Sequence, residues 1–190
     1  PKTTGRFYTP KEVFTALKSA ANKKGYKLIS ASASEGTLGK KHLFELLELV
    51  DKSDLTYILE TNGMTLGHDP NFSKQLSQFK NLHVRVSIKG CTKDEYFMLT
   101  NANKNSYQYP YKALDYLIEN KISCNACLSV SFSEEKDIEK AKKKLYNIAP
   151  GILKSLELEY ITLFPKVYNR LKKYKLKPKK VRSFGKIINI

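Results

Sequence analysis

The 190-residue chain has no tryptophan, two methionines, three cysteines, seven prolines and nine glycines. So little Gly and Pro excludes collagen-like and low-complexity classes, and so few cysteines exclude a disulfide scaffold. The odd number of thiols, at Cys91, Cys124 and Cys127, suits a reducing compartment. No apolar run approaches the roughly 20 residues that span a bilayer. Pro1 to Arg6 lacks the apolar stretch of a signal peptide. A cytoplasmic protein with no membrane span is expected. Because the first residue is Pro, the natural chain is expected to begin upstream. With 41% hydrophobic residues, a chain of this length has enough apolar surface for one sizeable core.

Acids are missing where bases are densest. Residues 165–190 hold ten Lys and Arg, from Lys166 to Lys186, and no Asp or Glu. Removing those ten from the total of 34 leaves 24 bases against 18 acids, a net +6 for residues 1–164, whereas the whole chain carries +16. A run of this kind attracts phosphate, so RNA, DNA or another polyanion, including an anionic membrane, are candidate partners. A solvated lysine-rich face is the alternative.

Two hydrophobic periods alternate along the chain. Thr9 and Glu12 form a capping box around Pro10, and Val13, Phe14, Leu17, Ala20 and Ala21 make one helical stripe closed by Gly25. Strands are predicted near residues 26–33, 55–60, 82–89, 122–131 and 156–163. Helices are predicted near 40–50, from Asp69-Pro70 through Phe79, near 93–100, 109–120 and 134–147, and after Pro165. Strands separated by helices require parallel pairing with right-handed crossovers, as in a barrel, a partial barrel or a doubly wound sheet. The opening helix has no strand before it. The fold class is therefore α/β, a partial (β/α)6-type TIM barrel with parallel strands and its first strand missing. Residues 1–177 would form the barrel and 178–190 a basic tail, with the strand around Lys27–Ala31 an exposed edge prone to association.

Strand period separates the side chains. Leu82, Val84, Val86 and Ile88 share one face, and His83, Arg85, Ser87 and Lys89 the other. Ile122 to Ser131 divides the same way, with Asn125, Cys127 and Ser129 on the polar side, and Glu157 and Glu159 stand opposite Leu156 and Leu158. Repeated polar faces predict an open lumen, and Asn125, Ser129, Glu157 and Glu159 are candidate substrate contacts. Ligands of such folds gather at strand carboxyl ends. Those ends carry Ser32-Ala33-Ser34-Glu35-Gly36-Thr37-Leu38-Gly39, Glu60-Thr61-Asn62-Gly63 and Ser87-Ile88-Lys89-Gly90. Their acids, hydroxyls, amide and ammonium suit an amino-acid-like zwitterion. Turn and cap chemistry also selects such residues.

Cys124 and Cys127 spell C-x-x-C, but residues three apart in a strand point to opposite faces, so no metal ligands are assigned. His42, His68 and His83 lack metal-ligand spacing. No Walker loop, dinucleotide fingerprint or G-x-S-x-G elbow occurs.

The order of the three strand-end motifs resembles that of radical S-adenosylmethionine enzymes, in particular their archaeal activating-enzyme-like branch, over about residues 5–175. The resemblance implies a domain that binds S-adenosylmethionine and acts with a 4Fe-4S cluster and an electron donor. Reductive cleavage would give a 5′-deoxyadenosyl radical that abstracts hydrogen from an unknown substrate. By position, the family's Gly-Gly-Glu-Pro loop, which takes the methionine amino group, falls on Ala33, Ser34, Glu35 and Gly36. Its contacts to the ligand's carboxylate and ribose fall on Glu60, Thr61, Asn62, Ser87 and Lys89. The chain departs from the pattern at Ala33, at Gly36 where Pro is usual, and at Ser87 where an acid is frequent. The family's C-x-x-x-C-x-x-C cluster loop is absent from these 190 residues, so its ligands are expected upstream. The competing expectation is a non-catalytic nucleic-acid-binding module that uses the basic C-terminal segment.

Overall fold

A computed structural model describes residues 6–32, 34–183 and 185–189. The first helix, α1 (Pro10–Lys24), starts as its local chemistry dictates. Glu12 N–H donates to Thr9 Oγ1 at 3.3 Å, and Thr9 N–H donates to Glu12 Oε2 at 2.8 Å. Gly25 ends it in the left-handed region, at φ 70°.

Five strands follow in sequence order, each parallel to its neighbour: β1 (Leu28–Ile29), β2 (Thr56–Thr61), β3 (Leu82–Lys89), β4 (Ser123–Ser129) and β5 (Glu157–Glu159). A doubly wound sheet would reverse its strand order partway. An order that never reverses, with right-handed crossovers, keeps the helices on one face and curls the sheet as in a barrel. The crossovers are α2 (Lys40–Asp51), α3 (Met64–His68) with α4 (Pro70–Leu76), α5 (Lys93–Thr100) with α6 (Tyr109–Glu119), and α7 (Glu135–Ile148). Leu47, Phe72, Leu114 and Leu145 from these helices pack with Leu59, Val84, Val86, Ile88 and Leu128 from the strands. Each is almost fully buried, and such a side chain contributes about 1.5–3 kcal/mol. The sheet is thus a half-barrel whose core lies on its convex side.

Three expectations need correction. The strands predicted over residues 26–33 and 156–163 shrink to Leu28–Ile29, paired with β2, and Glu157–Glu159, paired with β4, the stretches in register with their neighbours. The helix α3, which sequence patterning misses, is packed closely against α6. The third concerns residues 178–190. After α8 (Pro165–Lys173), β6 (Lys180–Ser183) and β7 (Lys186–Asn189) form an antiparallel hairpin where a tail is expected. Val181 within it is fully buried, and Arg182 N–H donates to Ile161 O at 2.9 Å. Hydrogen-bonded backbone and a buried apolar anchor fix the segment. Among the described residues, no helix is long and apolar enough to cross a membrane.

Candidate functional site

The inner face of the half-barrel is built from alternate residues of its strands, aligned in register. Glu60, Arg85 and Asn125 make one row across β2, β3 and β4. Ser87, Cys127 and Glu157 make the next across β3, β4 and β5, and Lys89, Ser129 and Glu159 the last, at the carboxyl ends. Strict alternation of buried and half-buried residues along β3 puts Arg85, Ser87 and Lys89 on this face and Val84, Val86 and Ile88 on the other.

Charge pairing holds the rows together. Arg85 Nη2 donates to Glu157 Oε2 at 2.8 Å and Nη1 lies 3.6 Å from Glu60 Oε1. Asn125 Nδ2 donates to Glu157 Oε1 at 2.7 Å, and Asn125 Oδ1 lies 3.0 Å from His83 Nε2. In the outer row, Lys89 Nζ is 3.1 Å from Glu159 Oε2, which also accepts from Ser129 Oγ at 2.8 Å. The Arg85 hydrogen bond holds the Glu157 carboxyl below the usual carboxylate range. Burial pushes Glu159 upward, but Lys89, Ser129 and Arg85 together outweigh it and lower its pKa. Burial first, and then Glu159, push the Cys127 thiol up to about 11.

Beyond the outer row, Lys89, Ser129, Ser131, Phe132, Glu159 and Tyr160 line a cleft of about 350 Å³. This falls within the range of small-molecule sites. The larger groove, about 810 Å³, runs along α1 and includes none of the strand-tip residues.

Glu35 serves a different edge. Its Oε1 accepts from Thr61 Oγ1 and Thr37 Oγ1, each at 2.7 Å, and its Oε2 accepts from the Asn62 amide at 2.8 Å. One carboxylate thereby ties the loop after β1 to the end of β2. Gly63, at φ 72°, turns the chain into α3, and a Cβ there would meet Pro110 Cα and Val86 Cγ1 at 2.9 Å. Ser34 is exposed and Gly36 opens a short 3-10 turn. Ala33 lies outside the described residues.

The structure brings Glu60, Ser87, Lys89, Asn125, Ser129, Glu157 and Glu159 onto one face, whereas Glu35, Thr61 and Asn62 form a separate cluster at the tip of β2. Residue-by-residue reading does not single out Arg85 and His83 as site residues. Their signal is present in the sequence, since both occupy polar-side positions of an alternating strand.

No family model matches the chain, and no curated protein matches it by sequence. Solved structures do match. SuiB of Streptococcus suis bound to S-adenosylmethionine aligns at TM-score 0.62 and 14% identity, over 88% of this chain and 38% of that one. SuiB bound to the precursor peptide SuiA aligns at 0.63 and 14%, over 76% and 31%. Native anSMEcpe with bound AdoMet aligns at 0.52 and 19%, over 82% and 44%. The fold is that of SuiB and anSMEcpe. This chain spans less than half the length of each of these proteins. At such identities the likeness establishes the half-barrel and its strand order.

Proposed function

We propose that this chain is the partial-barrel domain of a radical S-adenosylmethionine enzyme. In this proposal the strand-tip cleft takes S-adenosylmethionine, and a substrate enters over the concave face. One observation carries it: Lys89, Ser129 and Glu159 converge on a cleft at the carboxyl ends of three neighbouring parallel strands. Solved proteins of the same fold hold S-adenosylmethionine.

The residues present fit that ligand chemically. The Lys89 ammonium suits a carboxylate, and Ser87, Ser129 and Glu159 suit ribose hydroxyls. Glu35, which the resemblance assigns to the methionine amino group, is not part of this cleft: its Oε1 accepts two side-chain hydroxyls and its Oε2 one amide in the separate cluster at the tip of β2. Thr61 and Asn62 hold Glu35 in place, and Arg85 holds Glu60 and Glu157, with Glu157 in turn binding Asn125, which meets His83. Substrate polar groups would meet Glu157 and the uncommitted side of Glu60, whereas Asn125, expected as a substrate contact, is buried with its amide spent on His83 and Glu157.

A 4Fe-4S cluster does not fit the described residues. Cys91, Cys124 and Cys127 are held with pKa values of about 11, and no three metal-ligating side chains gather among the described residues. The proposal places the cluster's ligands outside these 190 residues.

The test is ligand binding by the full chain, read by saturation-transfer NMR. S-adenosylmethionine should receive saturation at its ribose and methionine protons, and S-adenosylhomocysteine should compete. Lys89→Ala should abolish the methionine-proton signal while leaving the fold intact by circular dichroism. Absence of transfer with the ligand in millimolar excess would overturn the proposal.

A further inference from the structure

The basic C-terminal segment is built into the rim of the cleft. Lys179 and Lys180 N–H groups both donate to Ser131 O, at 2.7 and 3.2 Å, and Ser131 lines the cleft. Leu163 N–H donates to Arg182 O at 3.0 Å, two residues beyond the cleft-lining Ile161. Lys179 and Lys180 are neutralised by Glu134 and Glu135. Lys166, Arg170, Lys172, Lys173, Lys175 and Lys177 make no ion pair among the described residues, and all six are exposed.

Aromatic side chains stand among these charges. Phe164, the N-cap of α8, and Tyr168 in its first turn are 62% and 55% exposed, and Tyr168 N–H donates to Phe164 O at 2.9 Å, so both rings stand at the start of the helix. Tyr174 is 64% exposed, with Lys173 Nζ 5.5 Å from its ring centroid. The apolar side of α8 is already occupied: Leu171 is buried and Val167 half-buried in the chain itself. A helix that has spent its apolar face has none left to insert into a lipid surface. Exposed rings beside unpaired cations suit a backbone of phosphates carrying unstacked bases.

We propose that the exposed side of α8, with Tyr174 and Lys175 directly after it, binds a single-stranded nucleic acid at the rim of the Lys89 cleft. Binding by this surface does not depend on what the cleft holds, and none of the readouts below contains S-adenosylmethionine. Failure here and failure of the proposed function are therefore separate results.

The experiment titrates a fluorescent single-stranded RNA oligonucleotide, and the DNA of the same sequence, with the full chain over a range of salt. Log affinity should fall against log salt by about 0.7 for each phosphate neutralised. Reversing Lys172, Lys173 and Lys175 to Glu should weaken binding more than tenfold and flatten the slope by about 2. Phe164→Ala with Tyr168→Ala should weaken it about tenfold and leave the slope unchanged. RNA carrying 4-thiouridine should crosslink to wild-type protein within residues 164–175, which keeps the test open if a variant fails to fold. No binding at low salt overturns the proposal. So does heparin binding as tightly as RNA with the aromatic variant silent, retention on phosphatidylserine vesicles in preference to RNA, or crosslinking confined to other elements.

Discussion

Arg85 and Glu157 meet at 2.8 Å although their strands, β3 and β5, are not neighbours: β4 lies between them. In a flat sheet those strands would stand roughly 9–10 Å apart. The contact passes over Cys127, whose sulfur lies 2.9 Å from Arg85 Nη2. Lys89 reaches Glu159 across Ser129 in the same way. Parallel register lines these side chains up on the inner face, and the long side chains reaching over β4 turn a column of polar residues into a connected set.

Arg85 is therefore expected to matter more than any one of its partners. Arg85→Ala leaves Glu60 and Glu157 without their cation and Glu159 with Lys89 alone. Since the Arg85 side chain is only 21% exposed, the substitution should cost about 1–2 kcal/mol. Glu157→Gln should cost less, because its amide still accepts from Arg85. Urea denaturation of both variants checks the order, and equal losses would count against the hub.

Acid should weaken the inner face. Glu157 and Glu159 have folded pKa values below the ordinary 4.5, Glu157 through the Arg85 hydrogen bond and Glu159 through Lys89, Ser129 and Arg85 against its burial. Depressed carboxyls contribute stability that is complete above their unfolded values and is lost as pH falls through the folded ones. The urea midpoint should drop below about pH 4.5. That drop should be shallower in Arg85→Ala.

The three thiols should be slow to react in the native protein at neutral pH. Burial raises Cys91, Cys124 and Cys127 alike to about 11, leaving little thiolate. A chromogenic disulfide reagent should label the buried Cys91 and Cys127 only as fast as the chain opens, the half-buried Cys124 ahead of them, and all three at once in denaturant. Rapid labelling of Cys91 or Cys127 in the native protein would contradict their burial.

Gly63→Ala should be strongly destabilising. The position needs φ 72°, and a Cβ would sit 2.9 Å from both Pro110 Cα and Val86 Cγ1. Left-handed strain and overpacking together should cost about 2–4 kcal/mol. Thermal unfolding measures it, and S-adenosylmethionine binding should weaken in parallel if the β2 tip orients the ligand.

Truncation after Lys177 distinguishes a docked hairpin from a tail. Loss of the fully buried Val181 and of the backbone bonds to Ser131, Ile161 and Leu163 should lower stability by about 2 kcal/mol or more. A free tail would be removed without effect on the unfolding midpoint.

Much of the architecture was legible locally because local chemistry decides it. The Thr9–Glu12 box, the Gly25 cap and the alternation of Leu82–Lys89 each depend on residues within a turn or a pleat of one another. The misses share a cause. Met64–His68 reads as a turn because its helix depends on packing against α6, where Gly67 lies under the Tyr109 carbonyl. Val181 looks like an isolated apolar residue in a basic run until the chain folds it back beside Ile161. Glu35 was legible as the carboxylate of its loop, but the sequence does not indicate that Thr61 and the Asn62 amide would hold it.

The order of the five sheet strands and of the longer helices between them, the side of each strand that is polar, and the excess of cations after Pro165 were determined by sequence alone, since each is a property of neighbouring residues. Tertiary structure decided which polar residues share a site. Arg85, Glu157, Lys89 and Glu159 lie some 70 positions apart in pairs, and only the parallel register of β3, β4 and β5 brings them together. The same long-range packing places the basic segment at the edge of the cleft.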